Sequence, residues 1–145
     1  AQLKKKNISF TSYNLSSTIF FSGHNPILLS ESIIHETTHN FINMIEKFEK
    51  LYEDKNKKIK TPLRKDKRNL RGFYHQLIVL YNLKKFYEIL SKNKSDELII
   101  KNRKNILKRK KLMDNDFAKS ITIYKRIRYA LTENANKLII DHGII

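Results

Sequence analysis

LRGFYHQLIVLYNLKKFYEIL, residues Leu70 to Leu90, decides the fold. Phe73, Tyr74, Leu77, Ile78, Leu80, Tyr81, Leu83, Phe86, Tyr87 and Leu90 recur at three- and four-residue spacing. The apolar positions are dense enough to bury a helix around most of its circumference, so this segment is expected as the central element of a mainly helical, bundle-like chain. On its C-terminal side, Ser95 with Asp96 and Glu97 opens a predicted third helix through about Met113. Asn115 or Asp116 opens a predicted last one, with Phe117, Ile121, Tyr124, Ile127 and Leu131, running to Ile139 or Ile140 before Gly143.

On its N-terminal side, residues 54 to 69 have no apolar period, carry many charges and contain Pro62, the pattern of a long exposed loop. Upstream, Ile33, Ile34, Phe41, Met44, Ile45, Phe48, Leu51 and Tyr52 form the stripe of an amphipathic helix predicted to end near Asp54. Asn25 can cap that helix with Pro26 in its first position, and Ser30 is a competing cap. Residues 7 to 22 are β-branched and aromatic with partial alternation, which predicts one or two short strands or an extended arm. At 145 residues the chain is expected to form a single domain, an extended or β arm over 1–24 and a helical metal-binding core over 25–145.

There is no cysteine, so disulfides, zinc ribbons and cysteine nucleophiles are excluded and any metal site must rest on His, Asp and Glu. No apolar run approaches a membrane span, and Ala1-Gln2-Leu3-Lys4-Lys5-Lys6 lacks the apolar region of a secretory signal, so the cytoplasm is the simplest expected location. The net charge of +16 admits an anionic partner. It is carried mostly by Lys in a chain also rich in Asn and Ile, a bias of A/T-rich coding, and the aromatics fall at core spacing instead of interleaving with cations. Nucleic-acid binding is therefore not the favoured expectation.

Specific chemistry is signalled by His35-Glu36-Thr37-Thr38-His39, an HExxH match on a predicted helix. Four residues apart, the two imidazoles project from one helix face and can share a divalent cation. A third protein ligand would leave open positions for substrate or oxygen; the candidates are His75, His24, His142, Glu46 and Asp66. His75 is best placed of these, in the first turns of the helix expected beside the motif, whereas Glu46 lies far along its own helix and His142 in the tail.

Thr61-Pro62-Leu63-Arg64-Lys65-Asp66-Lys67-Arg68-Asn69-Leu70-Arg71-Gly72-Phe73-Tyr74-His75 resembles the second block of the bacterial HExxH-motif proteins encoded with ribosomally made, modified peptides. Thr61, Pro62, Arg64, Asp66, Arg68, Gly72 and His75 match it in order, while Leu63 replaces an aromatic and Lys67 and Asn69 stand where proline is frequent. The resemblance implies an iron(II)- and 2-oxoglutarate-dependent peptide β-hydroxylase, with His35, His39 and His75 as iron ligands. It also implies that Arg64 or Arg68 receives a carboxylate of 2-oxoglutarate, as a planar guanidinium can do bidentately. The expected partner is a precursor peptide, and an acidic one would suit the excess positive charge. Glu36 has two roles open to it. It would be the general base in a zinc metalloprotease of the HExxH type, and a substrate or ligand-supporting contact in an oxygenase. A basic helical binding module with structural histidines is the third expectation. Oligomeric state is not written in these residues.

Overall fold

A computed structural model describes the backbone of residues 8–11 and 19–22 and the whole of residues 25–61 and 66–145. The architecture is mainly helical with a small antiparallel sheet at the N-terminus, as the periodicities predict. By packing, the chain divides into two compact units, Ala1–Phe48 and Glu49–Ile145.

In the first unit, β1 (Ile8–Thr11) and β2 (Ile19–Ser22) pair antiparallel, with Ile8 opposite Ser22 and Thr11 opposite Ile19, and lie against α1 (Pro26–Ile45). Asn25, not Ser30, starts α1: its Oδ1 accepts from the backbone N–H groups of Ile27 (3.0 Å) and Leu28 (3.2 Å), and Pro26 supplies a preset first-turn φ. Ser30 instead donates to the Pro26 carbonyl from inside the helix.

Two expectations about α1 are corrected. It stops at Ile45, well before Asp54, and its predicted apolar stripe is not its buried side. Phe41, Met44 and Phe48 are exposed, Phe48 at 85%, while Ile27, Glu36, Thr38, Asn40, Ile42 and Asn43 are buried. The early stop has a tertiary cause within the second unit. Leu51 and Tyr52 are buried there because their backbone joins the C-terminal connector. Thr132 N–H donates to Leu51 O (3.1 Å), Glu53 N–H to Ala130 O (3.1 Å), and Tyr52 bridges Leu131. An extended backbone satisfies those partners and a continued helix would not.

The second unit is built on α2 (Leu70–Lys92) and α3 (Glu97–Ile127), packed against each other. The turn between them is set locally: Asn93 Oδ1 accepts from Ser95 N–H (3.0 Å) and Asp96 N–H (3.2 Å), and Asp96 caps α3 through Ile99 N–H (3.1 Å). α2 is the most buried helix described, with Phe73, Tyr74, Leu77 and Tyr87 fully enclosed. α3 offers Ile99, Ile106, Met113 and Ser120, at seven-residue steps, with Ile123 and Tyr124. The two helices expected to meet at 114–116 are one continuous helix; the break falls later, in a 3-10 turn (Arg128–Ala130) before α4 (Glu133–Asp141). Asn136 fixes that corner. Its Nδ2 donates to the carbonyls of Arg128 and Thr132 (both 3.1 Å) and its Oδ1 accepts from the Tyr124 hydroxyl (2.7 Å). Burial raises the pKa of that hydroxyl, so it remains a donor. Gly143, at φ +64°, closes α4 where the left-handed backbone favours glycine.

The described part of the expected loop over 54–69 contains a short strand pair. β3 (Lys58–Ile59) pairs with β4 (Arg68–Asn69), and Ile59 and Thr61 are buried. Among the described residues no helix is long and apolar enough to cross a membrane.

Candidate metal centre

The HExxH motif lies in the middle of α1. His35 and His39 are half-buried, with ring centroids 4.8 Å apart and Nε2 atoms facing each other at 3.1 Å. Two nitrogens on one ion at bonds near 2.1 Å stand about 3.0 Å apart at right angles and about 3.4 Å at the tetrahedral angle. The observed spacing lies between them, so the pair has the bite of a first-row cation. With no cation the same spacing is an N–H···N bond between the two rings, its donor set by tautomer.

Glu36 is 4% exposed, beside these rings in sequence, and Asn40 and Asn43 continue the same inward polar line one and two turns on. Thr38 satisfies its hydroxyl on the Ile34 carbonyl (2.7 Å). A helix that buries Glu, Thr and two Asn while exposing Phe41 and Met44 costs stability unless the polar side is put to use. The two imidazoles are the donor pair that a divalent cation suits, and the buried Glu36 carboxylate follows the first of them in sequence. Asn40 and Asn43 are the residues the hydropathy stripe concealed; their signal was the four- and seven-residue spacing from Glu36.

In the second unit, residues 68–75 of the resembling block span the junction of β4 and α2. Asn69 caps α2, its Oδ1 accepting from Gly72 N–H at 2.8 Å. Arg68 runs back across the first turn, and its Nη1 donates to Gln76 Oε1 at 2.6 Å. Gly72 makes this passage possible: a Cβ there would sit 2.7 Å from Arg68 Nε and 2.8 Å from Asn69 Oδ1. The glycine is required by close approach and not by backbone conformation. His75, one turn on, is 3% exposed. Gln76, which sequence reasoning did not single out, orients the Arg68 guanidinium.

The Gly72 geometry yields a sign test. Helix propensity alone makes Gly72→Ala stabilising by about 1 kcal/mol. Because the new methyl must dislodge Arg68 from Gln76 or Asn69 from its cap, the substitution is expected to destabilise by about 1 kcal/mol net. Urea denaturation measures it, and a more stable variant would contradict the packing described.

Of the other candidates, Arg64 and His24 lie outside the described residues, as do Pro62, Leu63 and Lys65. Glu46 is the C-cap residue of α1, Asp66 is exposed, and His142 is exposed at the end of α4, its carbonyl accepting from Tyr81. Among the described residues no group of three His, Asp or Glu side chains is gathered to hold a metal ion. What the structure brings together is the His35–His39 pair in one unit, and the Arg68–Gly72–Gln76 arrangement beside His75 in the other.

Comparison with known protein families finds none whose pattern matches this chain, and comparison with characterised proteins finds no match.

Proposed function

We propose that the chain is an iron(II)- and 2-oxoglutarate-dependent oxygenase that hydroxylates a β-carbon of a residue within a precursor peptide. One observation carries the metal part of this reading: the facing Nε2 atoms of His35 and His39, 3.1 Å apart. The order Arg68, Gly72, His75 of the resembling block supports the rest. Bound iron with 2-oxoglutarate supplies the oxidising power: one oxygen atom of O2 enters the peptide C–H bond, the other the co-substrate, which becomes succinate and CO2.

The chain's own residues do the holding. His35 and His39 present neutral nitrogens from a single helix, and His75 is the proposed third ligand. Arg68 receives the carboxylate of the acidic co-substrate, its plane fixed by Gln76 so that less rotamer freedom is lost on binding. Glu36 is assigned to orienting a ligand or substrate group by accepting a hydrogen bond.

Protein supplied with iron(II), ascorbate, 2-oxoglutarate and the peptide encoded beside its gene is expected to give succinate and a product heavier by one oxygen atom. No succinate and no mass change would overturn the assignment. The buried position of Glu36 favours one second reading, a zinc metalloprotease in which it is the base. Glu36→Gln separates the two, since removing a general base costs about 10²–10⁴-fold in hydrolysis. Hydroxylation is expected to fall by less than tenfold.

A further inference from the structure

Outside the motif, the most organised feature is the solvent side of α3. Lys101, Lys104, Lys108, Lys111, Lys119 and Arg126 follow one another along one line of the helix, and the two other positions on that line, Asn115 and Thr122, are uncharged. All eight are exposed. At 1.5 Å per residue the ridge is about 38 Å long. No carboxylate lies on it between Lys101 and Arg126: Asp114 sits off the line, bonded to Lys110 at 2.6 Å, and Asp116 approaches Lys119 from the side at 4.0 Å. Exposed apolar side chains flank it, Ile100 (51%) and Leu107 (45%) to one side, Leu98 (41%) and Leu112 (43%) to the other.

We propose that this ridge docks an acidic, amphipathic peptide segment. A helix carrying carboxylates at three- and four-residue spacing sets them against the lysines in steps of about 5 Å, the same step the ridge has. Leucine-type side chains beside those carboxylates then cover the flanks, so both halves of the pattern find partners. A nucleic acid uses only the cations. It leaves the four apolar side chains in water, and no exposed aromatic stands on the ridge for bases to stack on. A membrane surface requires the reverse order, with the apolar residues outermost and the lysines at the sides. The docking itself stands apart from catalysis; only the identification of the segment as part of the substrate rests on the function proposed above.

Fluorescence anisotropy of the full chain tests it without turnover, so failure of docking is distinguishable from failure of the oxygenase reading. The probe is a labelled peptide of about 20 residues with Glu at three- and four-residue spacing and Leu beside it. Comparison probes are the same peptide with Ser for Leu, a duplex DNA of similar length, and phosphatidylcholine vesicles containing phosphatidylserine. The quadruple variant Lys101→Gln, Lys104→Gln, Lys108→Gln, Lys111→Gln is expected to bind the Glu/Leu peptide about tenfold or more weakly. The control Lys55→Gln, Lys58→Gln, Lys60→Gln, Lys94→Gln loses the same four charges from exposed positions elsewhere and is expected to change affinity by less than about threefold. Gln matches Lys in helix propensity, so the circular dichroism of both variants is expected to equal the parent's. If the ridge variant loses helix, Lys104→Gln and Lys108→Gln singly carry the test, each at about two- to threefold. Equal weakening in ridge and control variants, undiminished binding of the Ser peptide, tighter binding of DNA or vesicles, or no binding of the Glu/Leu peptide would each overturn the proposal.

Discussion

His39→Ala is expected to abolish stoichiometric metal binding. In the parent, the two Nε2 atoms of α1 already stand at chelating distance, so a cation that joins them orders little that is not ordered already. Removing one of the two leaves a single imidazole on that helix. The affinity loss should exceed the roughly 10–100-fold that follows from disturbing groups around a ligand. Titration of the chelator-treated protein with zinc(II), and anaerobically with iron(II), reads this directly. The parent is expected to take up one equivalent and to gain about 2.7 kcal/mol of stability at a free metal concentration one hundred times the Kd. His35→Ala behaves as His39→Ala, and His75→Ala joins them if its ring completes the set. Acidification weakens binding in the parent, because protons compete for the same lone pairs. Glu36→Gln is expected to keep the metal. A parent that binds none, or a His39→Ala variant that binds as well as the parent, would leave the 3.1 Å contact as a hydrogen bond between two rings and remove the basis of the catalytic assignment.

Local signals in the sequence were sufficient wherever the deciding forces are local. Asn25 before Pro26, and Asp96 before Glu97, fix helix starts through hydrogen bonds spanning two or three residues, and each is among the starting residues the sequence offers there. The density of α2 was readable because almost every face of it is covered. The orientation of α1 was not, because hydropathy ranks Phe41 and Met44 above Glu36, Asn40 and Asn43, and burial here follows the opposite order. That inversion and the HExxH spacing are two views of one fact: the inner side of α1 is polar where the motif lies. The end of α1 was hidden for a different reason. Glu46 to Lys50 contains no breaker, and the helix stops because Leu51, Glu53 and Thr132 form backbone bonds between segments far apart in the chain. The importance of Gly72 was visible only as a matched letter in a block; the passage of Arg68 to Gln76 supplies its physical reason.

Asn115→Pro is expected to be among the most damaging exposed substitutions in the chain. Asp114, Asn115 and Asp116 are weak helix formers and good caps, which is why a boundary is predicted there from sequence. α3 nevertheless runs through them, carried by Met113 on one side and Ser120, Ile123 and Tyr124 on the other, with Lys110 bonded to Asp114. Proline at 115 removes the bond from that N–H to the Lys111 carbonyl and drives its ring against the same oxygen, a cost of about 3 kcal/mol or more. In a domain whose whole stability is about 5–15 kcal/mol, the melting temperature should fall by roughly 10 °C. Glu97→Pro is the matched control. Residue 97 is the first in the helix, and Asp96 is already extended at φ −82°, ψ 121°, in the manner a following proline requires. That variant is expected to lose no more than about 0.5–1 kcal/mol, chiefly the acidic group of the first turn. If a new helix began at 115, the two prolines would cost alike, since each would occupy a first position. A continuous α3 also means that bending at 115 parts Lys101–Lys111 from Lys119 and Arg126, so at temperatures where Asn115→Pro stays folded, the Glu/Leu peptide should bind it more weakly than the parent although no charge has been removed.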